Sequence, residues 1–189
     1  MLFCTQDLTT QLSPQESFAM MKVTGMNIVQ TSETLPALAM GDVCEWVSMG
    51  RWSSHQLIKQ LLTLTGPADV ILATWAITQK PLETLERLKI DGQIKSLRGL
   101  FESKIAAYHA KSYAYAQGFF DETWLAKCHA KVTVITNETW QIAAVSSANW
   151  TINRRAECGV ILCNPESAAF HEKWILSLKK NNDGLNTSN

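Results

Sequence analysis

The sequence predicts an α/β domain of layered build, with a mixed, partly parallel β-sheet flanked by helices, and three observations predict it. The first is a continuous apolar run, Asp69-Val70-Ile71-Leu72-Ala73-Thr74-Trp75-Ala76-Ile77, bounded by turn residues as a strand buried on both faces would be. The second is what surrounds that run. Leu57, Ile58, Leu61, Leu62 and Leu64 precede it at helical spacing, Leu82, Leu85 and Leu88 follow it, and Ile94 to Leu100 returns as a strand. Strand, helix and strand in succession need a crossover connection, which makes this part of the sheet parallel. The third is a pair of strand-like segments, 132–135 and 141–145, around Asn137-Glu138. That pair reads as an antiparallel hairpin, so the sheet is mixed.

Residues 1–40 are rich in Thr, Gln, Ser and Met, with Pro14 and Pro36 as breaks, and are expected to be irregular or partly helical. The domain proper is expected over 41–180, with 181–189 as a flexible tail. Rough alternation over 40–47 suggests a short strand leading into a Gly50-Arg51-Trp52 turn. Ser53 or Ser54 then caps a helix that runs from His55 to about Thr65 and stops at Gly66-Pro67. His55, in its first turn, reads as solvated or locally bonded. Pro81 can begin the next helix and Asp91-Gly92 close it. The Ala- and Tyr-rich stretch from Phe101 to Gly118 reads as helix, with Ile105, Tyr108 and Tyr115 on one face, although 112–116 also alternates like a strand. Glu157 to Cys163 reads as a further buried strand. Asn164-Pro165-Glu166 is a helix start, with the amide as cap, proline at the first position and a carboxylate near the positive end of the dipole. Phe170, Trp174, Ile175 and Leu178 make the apolar face of that helix, and His171 reads as structural or solvated.

At 189 residues and 46% hydrophobic content the chain can bury a substantial core without metal or disulfide staples. Its 17 basic and 17 acidic residues cancel, so any polyanion must be drawn by local charge. Cys4, Cys44, Cys128, Cys158 and Cys163 are odd in number and form no C-x-x-C pair, which suits reduced thiols in a cytoplasm. No apolar run approaches the roughly 18 residues of a membrane span, and no Lys-rich amphipathic helix suggests a membrane surface. The expectation is a soluble, cytoplasmic protein.

Chemistry-bearing residues concentrate between Cys128 and Glu157. His129 and Lys131, two apart before a β-branched run, are expected to share one face, which puts an imidazole beside a fixed positive charge. The strand 141–145 delivers Ser146, Ser147 and Asn149 to its end, where hydroxyl and amide donors can meet phosphate oxygens. Asn153-Arg154-Arg155-Ala156-Glu157 follows, with two further cations and a carboxylate. A second His-Ala-Lys occurs at His109 and Lys111, but no Ser-x-Asn follows it at a comparable distance, and the Glu-Thr-Trp echoes at 122–124 and 138–140 are offset differently.

His-x-Lys, strand, strand, Ser-x-Asn and Asn-x-Arg-x-Glu in this order resemble the phospholipase D superfamily, in particular its short, single-motif, nuclease-type members. The resemblance is strongest over 128–162 and compatible with the chain from residue 53 onward. It implies a phospholipase D-like catalytic domain over 41–180 and a homodimer in which each subunit gives one histidine to a shared site. It matches His129 and Lys131 to the motif histidine and lysine, Ser147 and Asn149 to the motif serine and asparagine, and Glu157 to the carboxylate that pairs with histidine. Two positions depart from the pattern. The usual aspartate five residues after the lysine is Thr136, and the glycine before the serine is Ser146. That aspartate is mainly a supporting residue and some nuclease-like relatives lack it.

The residue types suit the implied chemistry. A neutral imidazole on His129 can attack a diester phosphorus that repels anionic nucleophiles, forming a phosphohistidine. Lys131, Ser147 and Asn149 would hold the non-bridging oxygens, Glu157 would orient the imidazole, and Ser146, Arg154 and Arg155 would bind substrate. A second imidazole must protonate the leaving group, and His129 of a two-fold partner is the economical source, with His109 as the alternative. No metal-ligand spacing occurs, so neither metal nor cofactor is expected. The expected activity is a metal-independent phosphodiesterase acting on nucleic acid. Two alternatives stay open: a phospholipid or other small diester as substrate, and a catalytically reduced nucleic-acid-binding or assembly module.

Overall fold

The structure, a computed structural model, describes residues 20–24, 27–31, 35–48, 50, 53–152 and 154–183. Nine strands are formed among them, β1 Met20–Thr24, β2 Asn27–Thr31, β3 Val43–Val47, β4 Ala68–Thr74, β5 Ile94–Glu102, β6 Glu122–Ala126, β7 Val132–Thr136, β8 Gln141–Ser146 and β9 Cys158–Leu162. The helices are α1 Ser54–Thr65, α2 Gln79–Ile90, α3 Ile105–Tyr108, α4 Ala110–Phe119 and α5 Pro165–Asp183. All nine strands join one sheet in the order β2-β1-β3-β9-β8-β7-β4-β5-β6. β4 with β5 and β5 with β6 are parallel and the remaining pairs antiparallel. The layered, mixed α/β architecture expected from the sequence is the one the chain forms.

The period-two alternation of the inner strands decides the layers. On β4, Val70 and Leu72 pack with Leu57, Ile58, Leu61 and Leu62 of α1 and Leu82 and Leu85 of α2, whereas Ile71 and Ala73 pack with Ala168 and Ile175 of α5. β7 divides in the same way, Ile135 to the first layer and Val132 and Val134 to the second. Covering both faces is why β4 reads as an unbroken apolar run. Helix ends follow local chemistry. The Ser53 amide donates to Gln56 Oε1 at 3.0 Å at the start of α1, and Gly66, at φ 72°, ends it. Asn164 Oδ1 accepts the Ser167 amide at 2.8 Å and starts α5.

Several expectations are corrected. Within 1–40, the described residues include a β1–β2 hairpin at the sheet edge, not irregular or helical chain. The buried strand read over 69–77 ends at Thr74, whose hydroxyl donates to Ala76 O at 2.9 Å, and this turn leaves Trp75 42% exposed. The helix read over 101–118 is broken: β5 runs on to Glu102, and His109 separates α3 from α4. Tyr108 and Phe170, assigned to apolar faces, are exposed. β6 had no clear alternation to announce it, because a sheet-edge strand needs little burial. β9 is buried only at Ile161. His55 is buried, with Nδ1 2.7 Å from Ser53 Oγ, so it is locally bonded and not solvated. The tail expected from 181 starts later, because α5 runs on through Asp183; the Pro14 break, Cys4, the Arg51-Trp52 part of the turn and residues 184–189 lie outside the described residues.

Candidate active site

Strand direction gathers the expected residues on one edge. β7 runs against β4 with Val132 opposite Ala73, so the start of β7 lies beside the end of β4. The end of β8 lies there too, with Val145 opposite Val132, and the start of β9, with Gly159 opposite Ser146. Parallel pairing brings the ends of β5 and β6 to the same edge, and Val47 opposite Cys158 adds the end of β3. Segments 127–131, 146–149 and 157 therefore meet at the carboxyl ends of β4, β5 and β6, where open α/β sheets place their ligand crevices.

His129 and Lys131 stand just before β7, not within it. They still meet: Lys131 Nζ donates to the His129 carbonyl at 2.7 Å and lies 3.0 Å from Nδ1 and 3.3 Å from Nε2 of its ring. The imidazole is exposed while the lysine is 8% exposed. Burial pushes the Lys131 ammonium below its ordinary pKa, against the opposing pull of Cys128 and Glu157. Cys128 is also buried, which raises its thiol pKa and makes it a poor nucleophile. Trp75 stands against the His129 ring at 5.7 Å between centroids, tilted by 51°.

The 146–150 loop is pinned from several directions. The Ser146 amide donates to Lys131 O at 3.0 Å, Ser54 Oγ donates to the carbonyls of Ala148 and Asn149 at 3.2 Å each, and Trp150 exchanges backbone bonds with Ala76 and Thr78 at 3.1 and 3.0 Å. The Trp150 side chain is buried at 1% exposure, as core and not as a stacking surface. These contacts fix Asn149, whose Oδ1 is buried with no hydrogen-bond partner. A buried unpaired amide oxygen costs about 1–3 kcal/mol unless a ligand or water supplies a donor.

Ser147 donates its hydroxyl to Glu157 and accepts the Cys158 amide at 3.1 Å. Its single proton is thus committed to the carboxylate, and it holds Glu157 in place. Ser146 donates to Ala148 O at 3.3 Å, so that hydroxyl belongs to the loop. The Glu157 backbone is clamped to Ser48, accepting from its amide at 2.7 Å and donating to its Oγ at 3.3 Å. Arg154 and Arg155 are exposed between Trp150 and β9, and Asn153 lies outside the described residues. The Arg154 carbonyl passes so close to Gly50 that a Cβ there would sit 2.4 Å from it.

A cleft of about 720 Å³ opens beside His129, lined among others by Trp75, Glu102, Tyr108, His109 and Cys128. The structure thus brings His109 to the same cleft as His129, a relation that two His-Ala-Lys copies twenty residues apart do not announce. Trp75 was hidden inside an apolar run; the Thr74 turn that exposes it was the only local signal. Among the described residues no group of three or more His, Cys, Asp or Glu is placed to hold a metal ion, and no helix is long and apolar enough to cross a membrane.

No family model and no curated protein matches the chain. Among solved structures, it is similar to Nuc from Salmonella typhimurium, a phospholipase D family member, at a TM-score of 0.57 and 15% identity, covering 73% of this chain and 93% of that one. The fold is phospholipase D-like. The polyphosphate kinase of Porphyromonas gingivalis is similar at a TM-score of 0.55 and 13% identity, over 73% of this chain and 26% of the kinase. The phospholipase D-like fold accounts for the layered sheet, and at these identities it is the fold alone that the likeness carries.

Proposed function

We propose that the protein is a metal-independent phosphodiesterase that hydrolyses nucleic-acid phosphodiester bonds through a phosphohistidine at His129. The observation that carries this reading is the exposed His129 imidazole held against the buried Lys131 ammonium, at the sheet edge of a phospholipase D-like fold. A neutral imidazole accepts at only one nitrogen, so Lys131 and an attacked phosphorus compete for its lone pair. A bound phosphate resolves the competition. Its non-bridging oxygen draws Lys131 off the ring, which stabilises the phosphate and frees the nucleophile in one movement.

The ring nitrogen then forms the P–N bond as the P–O bond to the leaving group breaks, and a second imidazole gives the leaving oxygen its proton. Water next attacks phosphorus, returns a proton to that imidazole and releases His129. Asn149 contributes to holding the phosphate. Glu157, fixed by Ser147 and Ser48, stabilises the imidazolium charge. Arg154 and Arg155 supply local positive charge for a polyanion that the neutral chain as a whole does not attract.

The second imidazole comes from His129 of a two-fold partner in a homodimer. The cleft shared by His129 and His109 favours a second reading, in which His109 is the proton donor within one chain. Cleavage of single- and double-stranded DNA in excess chelator tests the activity, and His129→Ala is expected to abolish it; undiminished cleavage by the variant would refute the assignment. Mixing His129→Ala subunits with wild type separates the two sources. A shared site makes the mixed dimer inactive, whereas a His109 donor leaves each wild-type chain its full rate.

A further inference from the structure

The cleft beside His129 exposes two large aromatic side chains, Trp75 at 42% and Tyr108 at 71% exposure. Aromatic rings left in water forgo a large apolar burial. Both line a recess and neither caps a convex surface, which is unlike the way side chains enter a lipid interface. Lys104 and Lys127 line the same recess and are exposed. Glu102 is the acidic member, but one oxygen accepts the Cys128 amide at 2.8 Å and the other the Ser103 hydroxyl at 2.7 Å. These bonds and the neighbouring Lys104 charge hold the carboxylate ionised, so it offsets part of the positive charge, and Lys104 and Lys127 together still outnumber it. Trp75 also touches the His129 ring, so the recess continues directly into the candidate catalytic site.

We infer that this cleft is a binding track for single-stranded nucleic acid, with bases stacked on Trp75 and Tyr108 and flanking phosphates held by Lys104 and Lys127. Stacking needs an unpaired base with an open π face, and aromatic platforms beside a positive groove are how single strands are held without sequence readout. A duplex keeps its bases stacked inside and offers these rings nothing. The track leads a diester to His129, and in that respect it rests on the proposed phosphodiesterase reading; binding to the track does not.

The test uses the full chain carrying His129→Ala, so that cleavage does not interfere, and a fluorescein-labelled oligodeoxynucleotide of about 12 nucleotides, within the usual footprint of such grooves. Fluorescence anisotropy gives its affinity, alongside the matching duplex and phosphatidylglycerol vesicles. Trp75→Ala and Tyr108→Ala, added singly, are each expected to weaken single-strand binding by about 5- to 150-fold, the range of one lost base stack. Trp75→Phe is expected to retain most of it. Neither ring is buried, so both variants should fold, which circular dichroism checks. Single-strand affinity unchanged in both variants overturns the inference. Equal weakening for the duplex, or a response seen only with vesicles, also overturns it, as does failure of the His129→Ala protein to bind any oligonucleotide. If binding depends on the rings but the wild-type protein cleaves no diester, the track stands and the phosphodiesterase reading falls.

Discussion

Lys131→Met separates a catalytic cation from a structural one. Methionine keeps the length and apolar body of the lysine stem and removes its charge and donors. Two terms oppose each other in stability. The ammonium donates to the His129 carbonyl at 2.7 Å and approaches its ring at 3.0 Å, and charge-assisted bonds contribute about 1.5–3 kcal/mol net. Against this, the charge is held at 8% exposure, and its lowered pKa shows that burial disfavours the ammonium. A neutral isostere is relieved of that penalty, so the net change in stability should stay within about 1–2 kcal/mol. Catalysis has no such offset. Removing a preorganised charge from the transition state costs about 2.7–4 kcal/mol, a fall of about 10²–10³ in rate. Urea unfolding and initial rates of oligonucleotide cleavage, measured on the same preparation, read both quantities. A variant that cleaves within about threefold of wild type, or that loses more than about 4 kcal/mol of stability, refutes this reasoning.

Gly50→Ala should lower the melting temperature and the rate together, because φ is +73° there and the new Cβ would meet the Arg154 carbonyl at 2.4 Å; an alanine costs about 1–2 kcal/mol in that conformation before the clash is counted, and a melting temperature equal to wild type would contradict the packing described. Glu157→Gln should reduce kcat by about 10²-fold or more with little change in melting temperature, since the carboxylate that orients the imidazole is lost; a kcat within about threefold of wild type would leave Glu157 with only a structural role. Burial, helped by Lys80, depresses the His55 pKa, and burial alone depresses that of His171. Near pH 6.5 the unfolded chain therefore binds more protons than the folded one. Stability is full above that pH, falls as pH drops through it toward the lowered folded values, and then levels. His55→Gln should flatten this loss between about pH 7.5 and 5.5, as read from urea midpoints, and an unchanged slope would contradict the assignment.

Much of this fold is written in periodicity. Val70 and Leu72 on one face of β4 and Ile71 and Ala73 on the other, between two helical layers, leave a run of apolar residues that only a doubly covered strand explains. The β7–β8 hairpin was equally legible, because the Asn137 amide closes the turn on Trp140 O at 2.9 Å and its side chain accepts from Thr139 and Trp140. The β1–β2 hairpin carried no such alternation. The break at His109 was hidden because 101–118 has helix-forming composition throughout, and composition does not record where a chain must turn to follow the sheet edge.

At the site, sequence spacing placed His129 beside Lys131 and named the segment that holds Asn149 and Glu157. It could not say how the polar groups divide their hydrogen bonds. Ser147 gives its proton to Glu157 and Ser146 to its own loop, so both hydroxyls are engaged within the protein. Trp75 falls within the run that predicts a doubly buried strand and Tyr108 on one predicted helical face, because exposure at a turn leaves no trace in a hydrophobic pattern.

The most direct measurement is to stop the reaction during turnover in alkali, where a phosphoramidate survives, and to locate the phosphoryl group by peptide mass spectrometry. Phosphate is expected on His129, accumulating with substrate and lost in His129→Ala. Turnover with no phosphorylated histidine at any time, or with the group on another residue, would contradict the phosphohistidine mechanism.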